Sequence, residues 1–351
     1  MASSPSFDRL SQGDIILITG VSGLLGSATA KEALQWGFDV RGITRDPSRL
    51  LGLKAKFDKE FGVGRFKTCC VEDMTNPESY APYLQGVSGV LHIASDASFR
   101  PAPKETIDGT IAATVGLMRE AAKVPSVKAF TLTSSRVAAF DPPAQGECLQ
   151  VANDMFVDDA ADRALARPAS DPGLPSLSYQ ASKVEGEKAA WEFYRNEKPG
   201  YAFNTILPDW VNGTPVNPRP AVYTTYTWLV EFYKGLYEPG NIFHAFTTPP
   251  STCVSLRDVA PLHVISLAAS EVGGERLFAM ENPWSAGDVV QAILKVEPDW
   301  QSPKRTAEFV PRGDITIPNQ RVRELIQKYC GRALIELDES VAEVVQFCNR
   351  A

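Results

Sequence analysis

Tyr179 and Lys183 stand four positions apart in the run Tyr179-Gln180-Ala181-Ser182-Lys183. On a helix such residues share one face, so a phenol and an ammonium meet. A free phenol titrates near pH 10, too high for efficient proton transfer at neutral pH. A nearby cation favours the phenolate and lowers that value. The pair can therefore protonate an alkoxide forming on a substrate, with Tyr179 as the acid and Lys183 as the group that tunes it and holds a cofactor ribose. Two further hydroxyls, Ser134 and Ser135, stand at the end of the β-branched run that begins at Lys128. A serine there can hydrogen-bond a carbonyl oxygen as negative charge develops on it. Ser135 is the first choice and Ser134 the second. A Tyr-x-x-x-Lys string is common by chance, and two serines can simply end a strand. The weight of this set comes from what surrounds it.

What must position the set is a sheet. The first 210 residues alternate short β-branched runs with longer helical patterns. Strands are expected at 15–19, 39–44, 66–71, 87–93, 128–134 and 202–207, and helices at 24–36, 47–61, 106–123 and 178–196. Strands joined by helices of this length imply parallel crossovers, hence an α/β fold built on a doubly wound parallel sheet, the Rossmann fold. Further helices are expected near 257–270, 285–295, 318–329 and 338–348, with a strand near 276–278. Two segments break the alternation: 141–177, rich in Pro, Asp and Ala, and 209–255, with six prolines and Trp210, Tyr223, Tyr226, Trp228, Phe232 and Tyr233. Long segments of this kind serve as lids or substrate loops, or pack as irregular structure. The expected division is a nucleotide-binding domain over 1–208 and a smaller C-terminal substrate-binding region over 209–351 that returns a strand and helices to the core.

The first strand runs straight into Thr19-Gly20-Val21-Ser22-Gly23-Leu24-Leu25-Gly26. Three glycines at spacing three, between a buried strand and a helix, match the needs of a dinucleotide. The first allows a tight turn, the second lets a pyrophosphate approach the backbone, and the third lets helix and strand pack closely. The helix N-terminus adds unpaired N–H groups and a positive dipole end. An NAD site carries an acid after the second strand to bond the ribose 2′-OH. Here that strand ends Ile43-Thr44-Arg45; Asp39 begins it, and Asp46 reads as a cap for the segment starting at Pro47. A guanidinium suits a 2′-phosphate. Arg45 therefore points to NADP(H), with Arg41 and Arg49 as possible assistants or solvated cations.

Bulk properties close off other classes. The 351 residues include 44% apolar and 22% charged residues and a net charge of −7, with no dense basic patch for nucleic acid. The polar start MASSPSFDRLSQGD has no apolar signal core, and no apolar run is long enough to span a membrane. Six scattered cysteines without a CxxC motif read as reduced thiols, which favours a cytoplasmic protein, and three unpaired histidines make no metal site.

In this order, TGVSGLLG, LTSS and YQASK resemble the extended short-chain dehydrogenase/reductases. VSLRDVAPLHV and VRGITRDP are similar to segments typical of that group, and VEDM, HIAS, VPSVK and NTILPDW resemble those of the yeast and fungal NADPH-dependent aldehyde and carbonyl reductases, relatives of plant dihydroflavonol and cinnamoyl-CoA reductases. The resemblance covers nearly the whole chain. It implies Ser135, Tyr179 and Lys183 as the catalytic set. It implies cofactor contacts from Thr19, Gly20, Ser22, Gly23, Leu24, Leu25, Gly26 and Met74, from Arg45 at the 2′-phosphate, and from Asp73 near the adenine. Ala94, Ser95, Lys183 and Pro208 would lie along the rest of the cofactor. Two departures stand out: 44 residues separate Ser135 from Tyr179, and Arg136 follows the serine where small or apolar residues are common.

The expected function is NADPH-dependent reduction of an aldehyde or ketone to an alcohol, with secondary metabolism as the expected setting. The aromatics of 209–255, with Phe99 and Phe156, suggest an apolar or aromatic small-molecule substrate. Alternatives on the same scaffold are an imine reductase, a cyclase, an epimerase or dehydratase, and a regulator that binds NADP(H) without turnover. A dehydratase needs an acid beside the strand-end hydroxyl, which Ser135-Arg136-Val137 lacks, and a regulator has no need of the Tyr179/Lys183 pair.

Overall fold

A computed structural model describes residues 5–144, 146–217, 225–236, 252–281, 284–301 and 314–350. The chain lays down β1 (Ile15–Thr19), α1 (Leu24–Gln35), β2 (Asp39–Thr44), α2 (Leu51–Phe61), β3 (Phe66–Cys70), α3 (Ala81–Leu84), β4 (Val87–His92), α4 (Pro103–Ala122) and β5 (Ala129–Thr133). There follow α5 (Arg136–Ala139), β6 (Cys148–Gln150), α6 (Ala160–Leu165), α7 (Leu174–Glu197), β7 (Ala202–Pro208), β8 (Trp210–Asn212) and α8 (Thr225–Tyr233). The last part carries β9 (Cys253–Ser255), α9 (Leu256–Ala268), β10 (Arg276–Ala279), α10 (Ala286–Val296), β11 (Asp314–Thr316), α11 (Gln320–Cys330) and α12 (Leu337–Cys348).

Seven strands form one parallel sheet in the order β10-β7-β5-β4-β1-β2-β3. The order reverses between β1 and β4, and ligands of such sheets bind at the carboxyl ends of the strands beside that point. Helices cover both faces, which is why Ile16–Thr19 and all of β4 and β5 are buried and read as near-continuous apolar runs. On one face, the small residues Ala28, Ala30 and Ala33 of α1 share a core with Leu262, Ile265 and Leu267 of α9. On the other, Leu117, Met118 and Ala121 of α4 and Ala190 and Phe193 of α7 pack over Leu17, Val90, Phe130 and Phe203.

The C-terminal third is woven back into this sheet. β10 pairs with β7, and α9 lies against the strands although Pro261 sits inside it. Proline has no N–H for the carbonyl four residues back. That carbonyl, Arg257 O, accepts from Arg332 Nη2 at 2.6 Å instead, and the same guanidinium pairs with the buried Asp258.

Most expected boundaries hold within a few residues. The helix expected from 178 starts four residues earlier, at Leu174, because a proline in the first turn costs no hydrogen bond. The helix expected over 47–61 opens as a 3-10 turn, Pro47–Leu50, capped by Asp46, which accepts from the Ser48 N–H at 2.9 Å. The segment 141–177 contains β6, which pairs with β11, and the short α6. In 209–255, β8 pairs with β9 and α8 follows β8; Tyr223 and the stretches 218–224 and 237–251 lie outside the described residues.

Candidate active site

At the reversal point β1 turns through Gly20, whose φ of +70° is in the left-handed region that glycine adopts without strain. A Cβ there would also stand 2.8 Å from the Ala94 backbone nitrogen, so β1 and the end of β4 touch through this glycine. Gly26 is closed in similarly, since a Cβ would run into the Gly20 carbonyl and stand 2.9 Å from Val21 Cα. The loop therefore folds back on its own helix, and the first turn of α1 starts at Gly23 with no side-chain cap. Ser22 is fixed from an element the sequence did not flag: buried Asn217, beyond β8, donates from Nδ2 to the Ser22 carbonyl at 2.8 Å. The Thr19 hydroxyl faces inward, accepting from the Ala94 N–H at 3.1 Å and meeting His92 Nδ1 at 2.9 Å. Leu24 is buried in the core, while Leu25 is half-buried.

Around the strand ends, Arg45 is exposed just past β2, and among the described residues its guanidinium has no hydrogen-bond or ion-pair partner. Arg41 is already used, donating to the carbonyls of Tyr83 at 2.7 Å and Gln85 at 2.6 Å. Asp39 pairs with Arg65 at the far end of β2. Asp73 makes a turn of its own after β3, accepting from the Thr75 N–H at 2.8 Å, and Met74 packs on the core. Ala94 and Ser95 follow β4, and Pro208 ends β7.

The structure brings Ser135, Tyr179 and Lys183 together at the carboxyl end of β5, where α7 crosses it. The Ser135 side chain stands by the Tyr179 phenol and pulls it down, while its hydroxyl accepts from the Val137 N–H at 3.4 Å. The neighbouring Ser134 faces away, its hydroxyl donating to Glu187 Oε2 at 2.6 Å. Alternation along an extended backbone puts the two serines on opposite sides. Of the two hydroxyls, α7 offers Tyr179 to one and Glu187 to the other.

Lys183 donates from Nζ to the Thr133 carbonyl at 3.0 Å and stands 5.8 Å from the centre of the Tyr179 ring. Burial pushes its ammonium down to about 8, with Glu187 one turn on pulling it back up. The expectation that Lys183 lowers the Tyr179 phenol is corrected here. Burial pushes the phenol up to about 12, Asp209 adds to this, and the groups pulling it down are the Ser135 side chain and Arg136. A small cavity of about 10 Å³, room for a single water, opens between Lys183, Glu187 and the α4 hydroxyls of Thr110 and Thr114.

Arg136 is part of the site. Its Nε lies 3.0 Å from Asp209 Oδ2, both side chains being 12% exposed, and its Nη1 donates to the Phe140 carbonyl at 3.0 Å. Asp209 also accepts from the Thr252 N–H at 2.8 Å and hydroxyl at 2.9 Å. Of the aromatics expected to line a pocket, Phe99 is at the site, its ring centre 4.8 Å from that of Tyr179. Phe156 is on the far side, between Arg276 and Lys188. Trp210 stacks on Trp284 at 4.2 Å in the C-terminal core. Among the described residues there is no cluster able to hold a metal ion and no helix long and apolar enough to cross a membrane.

Residues 16–201 match the model of the NAD dependent epimerase/dehydratase family. The chain belongs to that family. This is the extended short-chain dehydrogenase/reductase group that the motifs resemble. Aldehyde reductase 2 of Sporidiobolus salmonicolor is 32% identical over 304 residues, 87% of this chain and 86% of that one. Ketoreductase adrE of Penicillium rubens is 32% identical over 326 residues, 91% of this chain and 92% of that one. Among solved structures, Gre2 from Candida albicans in its NADPH complex superposes with a TM-score of 0.80 at 20% identity, covering 96% of this chain and 99% of that chain. The family member described here thus shares the fold of that reductase structure over 96% of its length.

Proposed function

We propose that the protein is an NADP(H)-dependent carbonyl reductase in which Ser135, Tyr179 and Lys183 act on an aldehyde or ketone. It is an oxidoreductase by the company of its full-length relatives, an aldehyde reductase and a ketoreductase. The observation that carries the chemistry is the meeting of Ser135 and Tyr179, close enough for the serine side chain to pull the phenol down, with Lys183 one turn away, at the sheet end where the glycine loop opens. A substrate oxygen entering there meets two hydroxyls at once. Ser135 orients it and Tyr179, which carries its proton at neutral pH, donates that proton to the more basic alkoxide as it forms.

The residues present fit a dinucleotide. The cradle at Gly20, Gly23 and Gly26 with the α1 N-terminus suits a pyrophosphate, and the exposed, unengaged Arg45 suits a 2′-phosphate. Ser22, Leu25, Asp73, Ala94, Ser95 and Pro208 would complete its contacts, with the Lys183 ammonium on the ribose. NADPH supplies a hydride when bound. We assign residues 1–208 to the cofactor and 209–351 mainly to the substrate, with Phe99 as an apolar wall beside Tyr179.

The test is NADPH consumption over aryl aldehydes, β-ketoesters and cyclic ketones by wild type and Tyr179→Phe. The variant should lose about 100-fold or more in kcat at unchanged NADPH affinity. No consumption by wild type on any carbonyl would overturn the reading. Arg45→Ala should raise KM for NADPH roughly 10- to 100-fold and leave NADH unaffected; equal loss for both would overturn the cofactor assignment.

A further inference from the structure

We infer that Glu187, in its ion pair with Arg276, is a positioning residue of the active site: it fixes which serine faces Tyr179 and balances the charge on Lys183. The inference rests on the reading that Lys183 works as an ammonium.

Glu187 is fully buried, one turn after Lys183 on α7. Its two oxygens collect donors from separate elements. Ser134 at the end of β5 donates at 2.6 Å, Thr205 of β7 at 2.8 Å, Arg276 Nε of β10 at 2.7 Å and Trp191 of α7 at 3.3 Å. A carboxylate so surrounded is held in one place by strands on either side. Because Ser134 is held by it, Ser135 is turned to the opposite side and to Tyr179. Arg276 in turn donates to the carbonyls of Asn153 at 2.6 Å and Met155 at 2.9 Å, so the segment between β6 and α6 is tied to the same carboxylate.

The second role follows from charge. Lys183 is buried, and burial disfavours its ammonium. On its own helix it faces Tyr179 and Glu187. From β4 it faces His92, which burial keeps neutral far below pH 7, and from α4 only the hydroxyls of Thr110 and Thr114. Arg136 and Asp209 stand beyond Tyr179 as a mutually balanced pair, and Arg163 of α6 is engaged with Gln180 and Asp141. The charge left is Glu187, which favours the ammonium; Arg276, paired with the same carboxylate, carries the opposite charge and is expected to weaken that influence.

Opposite signs make the test decisive. Glu187→Gln keeps an acceptor and loses the charge, so the alkaline limb of kcat/KM should move down by about one pH unit, lowering kcat/KM at pH 8.5 about eightfold beyond the wild type's own decline. Arg276→Gln should move the limb up. The double variant, which removes both members of the ion pair, should move it back towards wild type. NADPH affinity against pH, read by fluorescence without turnover, should shift in the same directions. If Glu187→Gln lowers activity equally at every pH, or both single variants move the limb the same way, the charge-balancing role is overturned. Should Glu187→Gln not fold, Arg276→Gln and the double variant still carry the test. A wild type that reduces no carbonyl yet shows these shifts in NADPH affinity would overturn the proposed reaction and leave this inference standing.

Discussion

Arg136 and Asp209 form an ion pair, Nε to Oδ2 at 3.0 Å, across the gap between the end of β5 and the end of β7. The pair flanks Tyr179, and its two members pull the phenol in opposite directions. Nη1 is taken by the Phe140 carbonyl, and Nη2 has no hydrogen bond among the described residues. A guanidinium fixed on two sides with one edge open is suited to grip an acceptor oxygen on a substrate. Arg136→Met should therefore lower kcat/KM about tenfold for carbonyl substrates bearing a second oxygen, with little change for a plain aryl aldehyde. It should also cost about 3 kcal/mol of stability, since Asp209 loses its cation in a mostly buried place. Steady-state kinetics on the two substrate types and urea unfolding check both parts. A uniform loss across substrates would mean the pair only supports the fold.

The two serines should separate cleanly. Ser135→Ala removes the hydroxyl that meets Tyr179 and should cut kcat by about 10²–10³. Ser134→Ala removes one of several donors to Glu187 and should cost about 1–2 kcal/mol of stability with kcat reduced only a few-fold. Comparing kcat with the urea midpoint for each variant decides between them. The reverse pattern would make Ser134 the working hydroxyl.

Gly26→Ala should damage cofactor binding through the loop rather than through any contact of its own. The added methyl meets the Gly20 backbone, and the loop has to open to admit it. A stability loss of about 1–3 kcal/mol and at least tenfold weaker NADPH binding are expected, measured by unfolding and fluorescence titration. Unchanged NADPH affinity would separate the loop from the cofactor.

Acid should unfold the protein partly through two histidines. His92 and His263 are buried, and burial lowers them to about 3 and about 4. As pH falls through the ordinary histidine range near 6.5, the unfolded chain takes up protons that the folded chain refuses until near pH 4. The unfolded state binds more protons, so stability present above that range is lost on acidification, at up to about 2.7 kcal/mol per pH unit for two sites. His263 bonds the Thr133 hydroxyl at 2.8 Å and His92 meets Thr19, so both brace strands of the site. Urea midpoints from pH 7 to pH 4.5 should fall steeply, and His263→Asn should flatten the slope; an unchanged slope would assign the loss to carboxylates alone.

By itself the sequence determined what short-range physics controls. Buried β-branched runs, helical periods and glycine spacing lie within one or two elements, and they gave the strands, the crossovers, the loop after β1 and the Tyr179/Lys183 face of α7. The tertiary structure decided whatever depends on partners distant along the chain. Which serine meets Tyr179 is set by Glu187, 53 residues from Ser134. Ser22 is held by Asn217, 195 residues away, and Arg136 by Asp209, across β5 and β7. Spacing carries no record of such meetings, because sheet order and helix packing bring them about, and a charge finds its counter-charge only once the low-dielectric interior has closed around both. For the same reason the Tyr179 phenol moved the opposite way from what its helix neighbour suggested: burial, which no local pattern reveals, is the largest influence on it.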